Sequence, residues 1–162
     1  MDARPWIALN CVPGVGNVLF RRLVLRFGSP EAVFKAPDAE LLRVEGNRPP
    51  VVKSIKESAC WQEADEEARK VAGSGVEIVT FTDVRYPSNL KEIHDPPPYL
   101  YVKGSLAPED KVAVAMVGSR MATQYGRQMT RKMSRELASK GITVVSGGAR
   151  GIDTEEIGRA HV

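Results

Sequence analysis

The sequence predicts an α/β protein in which an all-helical N-terminal domain precedes the front part of a Rossmann-like parallel-sheet domain. Residues 4–70 carry apolar side chains at helical spacing and little that indicates a strand. Further on, the apolar runs "VAVAMV" and "ITVVS" flank a helical pattern, as in a right-handed strand–helix–strand crossover. We therefore divide the chain into a helical domain (1–72), a linking region that extends the Rossmann-like domain (73–110), and the incomplete Rossmann-like domain itself (111–162).

Glycine and proline residues mark the ends of the N-terminal helices. A Pro-Gly-x-Gly break at 13–16 separates a short first helix from a second one. Gly28, Ser29 and Pro30 have the residue types of a helix end, an N-cap and a first helical residue. A long acidic helix to about Val71 closes this part. The second helix carries apolar residues at helical spacing, namely Val18, Leu19, Leu23 and Phe27.

The linking region contains two predicted strands. "VEIVTFTD" alternates apolar and polar residues and is β-branched, which is typical of a half-buried strand. The prolines at 96–98 force an extended chain, because each residue before a proline is pushed out of the α region. "YLYVKG" then predicts a short strand that enters the second unit.

The first basic turn, Gly118-Ser119-Arg120, follows the run "VAVAMV", which we expect to be a strand buried on both faces. In an open α/β sheet, ligands bind beyond the carboxyl ends of the strands. Gly118 permits a tight turn and the close approach of a ligand, and Arg120 supplies a planar charged fork that suits phosphate. Thr123 is expected to cap the following helix, whose positive end favours an anion.

The second basic turn, "SGGARGID", follows the neighbouring strand and is expected to face the same crevice. Residues 111–154 hold eight basic and two acidic residues, a balance of +6, whereas residues 55–77 have a balance of −3. The turns match neither G-x-G-x-x-G nor the P-loop, so we expect an anion or nucleotide site of another kind. A plain turn beside a solvated basic helix is the alternative. Asp153 is expected to cap the next helix rather than act as a base.

The helix between these turns is predicted over roughly 124–140. Arginines occupy its other faces, and we expect Tyr125 to pack in the core rather than to stack on a base. Its apolar stripe repeats every four residues, at Tyr125, Met129, Met133 and Leu137.

Composition excludes several classes of protein. Cys11 and Cys60 form no CxxC motif, and two scattered histidines do not make a metal cluster, so we expect reduced thiols and no metal. We also expect no cofactor and no catalytic residue. No apolar run approaches the roughly 20 residues that span a bilayer. The beginning of the chain does not have the pattern of a secretion signal, so we expect a cytoplasmic protein without a membrane partner.

The final residues, "EIGRAHV", equal the translation of a common sequencing-adapter read, GAG ATC GGA AGA GCA CAC GTC. We therefore expect the true sequence to end near Glu155, with 156–162 not native and the chain a fragment of a longer protein. Arg159 and His161 then have no functional meaning. A natural short C-terminus is the alternative.

Several stretches together resemble the DNA-processing protein family DprA/Smf: "YPSNL", "DPPPYLYVKG", "VGSR", "YGR" and "GITVVSGGARGID". The resemblance implies a non-enzymatic protein with a helical domain of sterile-alpha-motif type and a Rossmann-like domain that binds single-stranded DNA and forms a homodimer. Such proteins protect incoming DNA during natural transformation and load the recombinase RecA. The residues that the resemblance places in or beside the DNA pocket are Gly118, Ser119, Arg120, Gly147, Gly148, Arg150 and Gly151.

This chain departs from the family pattern after "GID". The family continues with an alanine-histidine segment where this chain has Glu156-Ile157. A later pocket lysine and the frequent C-terminal winged helix do not occur in the sequence.

The stretch "VPGVGNVLFRRL" also resembles a helix-hairpin-helix, in which the amides of a glycine turn meet a DNA phosphate. A plain helix–turn with a solvated basic face is the alternative. The residues of this secondary DNA contact would be Gly14, Gly16, Arg21 and Arg22.

The sequence leaves two other functions open. Related Rossmann-like enzymes of the Lonely Guy type are phosphoribohydrolases that cleave nucleoside monophosphates, and they carry a Pro-Gly-Gly-x-Gly-Thr motif that does not occur in this sequence. Alternatively, the helical unit is a protein-interaction module only. Binding to single-stranded DNA and release of ribose from AMP would separate these functions.

Overall fold

The computed structural model describes residues 2–57 and 60–156, except for the side chains of Glu109 and Glu156. The chain divides into two compact units, Met1–Ser105 and Leu106–Val162. Within the described ranges no helix combines the length and the apolar character that a membrane crossing requires. Of the adapter-like segment 156–162, residues 157–162, which include Arg159 and His161, lie outside the described residues.

The first unit begins with helices that the sequence patterns predict. At the junction of the second and third, Gly28 has a left-handed φ of +87° and its amide donates to the Val24 carbonyl. The Ser29 hydroxyl accepts a hydrogen bond from the Ala32 amide at 3.2 Å, and Pro30 opens the next helix, which confirms the predicted caps. The helices are α1 (Arg4–Asn10), α2 (Asn17–Phe27), α3 (Pro30–Lys35), α4 (Asp38–Leu41), α5 (Pro49–Glu57) and α6 (Trp61–Ala72).

A two-stranded antiparallel sheet completes the first unit. Strand β1 (Glu77–Thr80) pairs with β2 (Tyr99–Val102), and the short helix α7 (Ser88–Lys91) lies between them in the chain. Phe81, just after β1, packs edge-on against Trp6 of α1 at 5.5 Å between ring centroids. The predicted linking region therefore folds against the helices as far as Ser105, because its aromatic residues complete their core.

The second unit contains the predicted strand–helix–strand arrangement. Strand β3 (Ala113–Ala115) lies parallel to β4 (Thr143–Val145), and helix α8 (Gln124–Ala138) connects them. The Thr123 hydroxyl accepts a hydrogen bond from the Gly126 amide at 3.1 Å, so the predicted cap of α8 is confirmed. A 3-10 turn (Pro108–Lys111) precedes β3, and helix α9 (Ile152–Glu156) follows β4.

Two burial predictions in this unit are wrong. The run at 112–117 is not buried on both faces: Val114 is 42% exposed, because among the described residues β3 pairs only with β4. Tyr125 is 72% exposed instead of packing in the core. The buried face of α8 is formed by Thr130 and Ser134, whose small side chains allow the helix to approach the sheet closely.

Candidate functional site

The two predicted turns interlock at the carboxyl ends of β3 and β4. The Ile152 amide donates to the Ser119 carbonyl at 3.2 Å, which joins the end of the second turn to the middle of the first. In the opposite direction, the Gly118 amide donates to Asp153 Oδ1 at 3.3 Å. The two turns therefore form one continuous surface, as the sequence predicts for neighbouring parallel strands.

Glycine is required where the turns touch. A Cβ atom at Gly151 would lie 2.2 Å from the Ser119 carbonyl oxygen, and the φ of Gly151 is +96°. A Cβ atom at Gly118 would lie 2.7 Å from the Ile152 side chain. These glycines therefore let one turn approach the other, whereas the sequence reasoning assigned Gly118 to the approach of a ligand. Gly147 differs, because its Cβ would lie 3.0 Å from Asp153 Oδ2, which belongs to the same turn.

Asp153 does not cap the next helix, so that prediction is wrong. Helix α9 begins at Ile152 and includes Asp153, whose side chain is turned toward Gly118 of the other turn. Asp153 is 6% exposed, and the Ser146 hydroxyl donates to its backbone carbonyl at 3.2 Å. The same hydroxyl accepts a hydrogen bond from the Gly148 amide at 3.4 Å. Asp153 thus holds both turns in position.

The arginines of the second unit fall into two groups. Arg127 and Arg131 of α8 both bind the Glu155 carboxylate, at 3.0 Å and 2.5 Å. Hydrogen bonds from Arg131 and then from Arg127 lower the pKa of Glu155 below its ordinary range. Arg120 and Arg150 lie exposed on the two turns, and neither forms an ion pair with any other described residue. Of these four arginines, only Arg120 and Arg150 are free to bind an external anion.

Sequence reasoning missed Glu155. Its partners precede it by 28 and 24 residues, so no local spacing signals the contact. The short helix α9 brings the Glu155 carboxylate beside α8. Because α9 follows the second turn and α8 follows the first, this contact joins the two turns indirectly. Glu155 also neutralises part of the basic face of α8.

The site residues predicted in the second unit come together as one group. Arg120 and Arg150 are exposed cations on the two turns, and Gly118 and Gly151 form the contact between the turns. Gly147 lies close to Asp153 within the second turn, and Gly148 adopts a left-handed φ of +65°. Ser119 accepts hydrogen bonds through its carbonyl from Ile152 and through its hydroxyl from the Met121 amide at 3.1 Å. Two guanidinium groups on a rigid glycine surface can bind phosphate groups of an extended anion.

The secondary turn of the first unit has different chemistry. Gly14 has a φ of +88° and packs closely on Val51, whereas Gly16 precedes α2 in open space. Arg22 is occupied, because its guanidinium binds the Glu45 carbonyl at 3.0 Å and the Glu45 carboxylate at 3.3 Å. Arg21 forms no ion pair within the part of the chain that the structure describes. Of the two predicted arginines, Arg21 alone keeps an open guanidinium there.

Comparisons with known proteins agree with this organisation. A sequence model of the family DNA recombination-mediator protein A matches residues 77–161. Protein Smf of Synechocystis sp. is 35% identical over 158 residues, which cover 93% of this chain and 39% of that protein. DNA processing protein DprA of Bacillus subtilis is 38% identical over 80 residues, 49% of this chain and 27% of that protein. The X-ray structure of DprA from Streptococcus pneumoniae has a TM-score of 0.65 at 26% identity and covers 94% of this chain and 52% of that chain.

The fold and the matches define a mixed helix-and-sheet protein of the DNA-processing class. Specifically, the chain belongs to the DNA recombination-mediator protein A family, whose members are called DprA or Smf. The resemblance inferred from the sequence motifs is thereby confirmed. The chain spans about two fifths of the Synechocystis protein and about half of the Streptococcus pneumoniae chain.

Proposed function

We propose that this chain binds single-stranded DNA through the interlocked turns and contributes to the recombination role for which its family is named. The proposal includes a Rossmann-like arrangement of the second unit and a sterile-alpha-motif-like arrangement of the helices in the first. It also includes a cytoplasmic location. Single strands are held mainly by cations that follow the phosphate backbone, so binding is expected to depend little on sequence and strongly on salt.

The observation that carries this proposal is the pair of unoccupied arginines, Arg120 and Arg150. They lie on two different turns, and hydrogen bonds between Gly118 and Asp153 and between Ile152 and Ser119 hold those turns together. A guanidinium group held on a rigid turn loses less conformational freedom on binding phosphate than one on a mobile loop. The neighbouring cations Arg127 and Arg131 are already bound by Glu155, so they do not compete for the same anion.

The direct test measures binding of a fluorescently labelled oligothymidine to the chain at several salt concentrations. Removal of one phosphate contact on a single strand is expected to reduce the slope of log affinity against log salt by about 0.7. We expect Arg120→Ala and Arg150→Ala each to lower the affinity about tenfold at moderate salt, because each removes a charge-assisted hydrogen bond.

Arg135→Ala is the matched control. Arg135 is also exposed, and it forms no ion pair among the described residues, but it lies near the end of α8 rather than on a turn. If Arg135→Ala lowers affinity and salt slope as much as Arg120→Ala, the turns are not the DNA site. Absence of binding by the unaltered chain would instead favour the protein-interaction alternative.

We further propose that the chain is not an enzyme. No observation favours the Lonely Guy type of phosphoribohydrolase, and the buried Asp153 already accepts the Gly118 amide and supports the turns. The test incubates the chain with AMP and measures release of adenine and ribose 5-phosphate. Hydrolysis that is lost in Asp153→Asn would overturn this proposal and would make the interlocked turns a catalytic site.

Loading of RecA and formation of a homodimer complete the proposal. Both rest on membership of the family, whose compared members extend well beyond the matched region. RecA loading is tested by the rate at which RecA assembles on DNA precoated with single-strand binding protein, with and without the chain. Sedimentation equilibrium over a hundredfold range of concentration tests the homodimer.

A further inference from the structure

Helices α1 and α6 of the first unit pack side by side and antiparallel. Near the start of α1, the Arg4 guanidinium lies 3.6 Å from the carboxylate of Asp65. One turn later, Ile7 and Ala8 pack with Ala64 in a small buried cluster, against which Ala3 and Ala68 also pack. Residues nearer the end of α1 therefore contact residues nearer the start of α6, as expected for antiparallel helices.

This register places Cys11 and Cys60 opposite each other at the next turn. Cys11 follows Ile7 by four residues, and its amide donates to the Ile7 carbonyl at 3.0 Å, so it continues the same helical face. Cys60 precedes Ala64 by four residues, and its carbonyl accepts from the Ala64 amide at 3.0 Å. The two cysteines thus extend the contact row of Ile7 and Ala64 by one turn in each helix.

The separation of closely packed helices suits a disulfide. Helix axes about 8–10 Å apart, with Cα atoms about 2.3 Å from each axis, bring facing Cα atoms to roughly 3.4–5.4 Å. A disulfide bridges Cα atoms that are about 4.4–6.8 Å apart. The wider half of the packing range therefore gives a Cα separation that a disulfide can bridge, and the small side chains of Ala8 and Ala64 keep the two helices in contact.

We propose that Cys11 and Cys60 are a modification site, at which a low-molecular-weight disulfide such as oxidised glutathione converts the two thiols into an intramolecular disulfide. One thiolate attacks the oxidant and releases a reduced thiol. The second thiolate then attacks the mixed disulfide and releases another, so two protein thiols lose two protons and two electrons and two oxidant sulfurs gain them. The product joins the end of α1 to the start of α6.

The surroundings of the two thiols set the conditions for this reaction. Cys11 is exposed and Cys60 is half-buried, so a small oxidant can reach the pair. Burial raises the pKa of both thiols, with further contributions from Glu63 and Glu67 on Cys11 and from Cys11 and Glu63 on Cys60. The contribution of Cys11 to the pKa of Cys60 agrees with the position of the two residues across the helix pair. The exchange should therefore be slow at neutral pH and faster in alkali.

The experiment equilibrates the full chain at low micromolar concentration with mixtures of reduced and oxidised glutathione, quenches it with acid and digests it with trypsin. The sequence holds only these two cysteines, which fall in separate tryptic peptides. We expect mass spectrometry to detect those peptides joined by a disulfide, and the intact chain to stay at the monomer mass. Thermal unfolding of the oxidised chain should begin roughly 10 °C higher than that of the reduced chain.

Cys11→Ser and Cys60→Ser are the paired controls, since each removes one partner and leaves a similar side chain. Each variant should carry a single glutathione on its remaining cysteine and should show no oxidation-dependent rise in thermal stability. If the unaltered chain carries glutathione on both cysteines, or forms only cross-links between two chains, the register argument is wrong. Recovery of two free thiols from the most oxidising mixture would overturn the proposal equally.

Discussion

The turn at 13–16 and the turn pair at 118–120 and 147–151 contain the same kinds of residue, glycines at a helix start with arginines close by, yet they differ in what their arginines bind. In the first unit Arg22 is held by Glu45, and Arg26 is held by Glu40 at 3.0 Å. In the second unit Arg120 and Arg150 have no ion-pair partner among the described residues, whereas Glu155 binds Arg127 and Arg131 of the helix.

The difference shows that a glycine and arginine pattern does not by itself make an anion site. A guanidinium that already has a carboxylate partner must lose that ion pair before it can bind a phosphate, so little net binding energy remains. What separates the two regions is the position of a few acidic residues. Two kinds of substitution test this difference. One removes the glycine contacts of the second unit, and the other compares free arginines with arginines that are held in ion pairs.

The largest expected effect comes from Gly151→Ala. The new Cβ would meet the Ser119 carbonyl oxygen at 2.2 Å, and the residue would have to keep a φ of +96°. We expect a loss of about 3 kcal/mol or more in the free energy of unfolding of the second unit, because the clash is with backbone and cannot be relieved by a rotamer change. Urea denaturation monitored by circular dichroism measures this loss in the free energy of unfolding.

Gly141→Ala is the control for backbone strain alone. Gly141 also has a positive φ, +72°, but a Cβ there would have no atom within 4 Å. Gly141→Ala should lower the free energy of unfolding by about 1 kcal/mol. Equal losses for the two substitutions would mean that the contact between the turns does not matter for stability.

A smaller effect is expected from Asp153→Ala, which removes the acceptor that joins the turns. The Gly118 amide would lose its charged partner, so we expect the free energy of unfolding to fall by about 2 kcal/mol. Asp153→Asn keeps a carbonyl acceptor of the same size and should recover about half of that loss. If Asn and Ala are equally destabilising, the side-chain hydrogen bond to Gly118 contributes nothing.

The parts of this fold that the sequence predicts are those fixed by local chemistry. The Ser29 and Thr123 caps, the end of α2 at Gly28 and the parallel strands all follow from residue type and spacing. The functions of Asp153 and Glu155 could not be predicted in this way. They act on residues 24 to 35 positions earlier, and only the folding of one turn onto the other brings these groups together.

The exposure of Tyr125 illustrates the same limit. A period of four residues predicts which residues share a helix face, but it does not say which face meets the sheet. Small polar residues, Thr130 and Ser134, make that contact, and Tyr125 lies on the exposed side.

The site residues were predicted as a group from their place after parallel strands, a rule of topology that holds without knowledge of side-chain contacts.

A third prediction separates Arg21 from Arg22 in the first unit. Arg22→Ala should change the affinity for oligothymidine less than twofold, because Glu45 already occupies the guanidinium. Arg21→Ala should lower the affinity about threefold if the turn at 13–16 is a secondary DNA contact, since this arginine has no ion pair among the described residues. A larger loss for Arg22 than for Arg21 would mean that ion pairing does not decide which arginines bind DNA.

The smallest expected effect is the pH dependence that Glu155 gives to the second unit. Hydrogen bonds from Arg131 and Arg127 lower the pKa of Glu155, so the folded state prefers the ionised carboxylate more than the unfolded state does. Its stabilisation is therefore fully present above the ordinary carboxyl pKa of about 4.5 and is lost as the pH falls through the lower pKa of the folded state. Glu155→Gln should lower the urea midpoint at pH 7 and lower it less at pH 2, because the unaltered carboxylate becomes increasingly protonated as the pH falls below its ordinary range. Glu136→Gln is the control, because Glu136 lies 3.9 Å from Lys132 in an exposed pair on α8 and its substitution should change neither midpoint. A deficit in Glu155→Gln that is the same at both pH values would mean that the size of the side chain, and not its charge, holds α9 against α8.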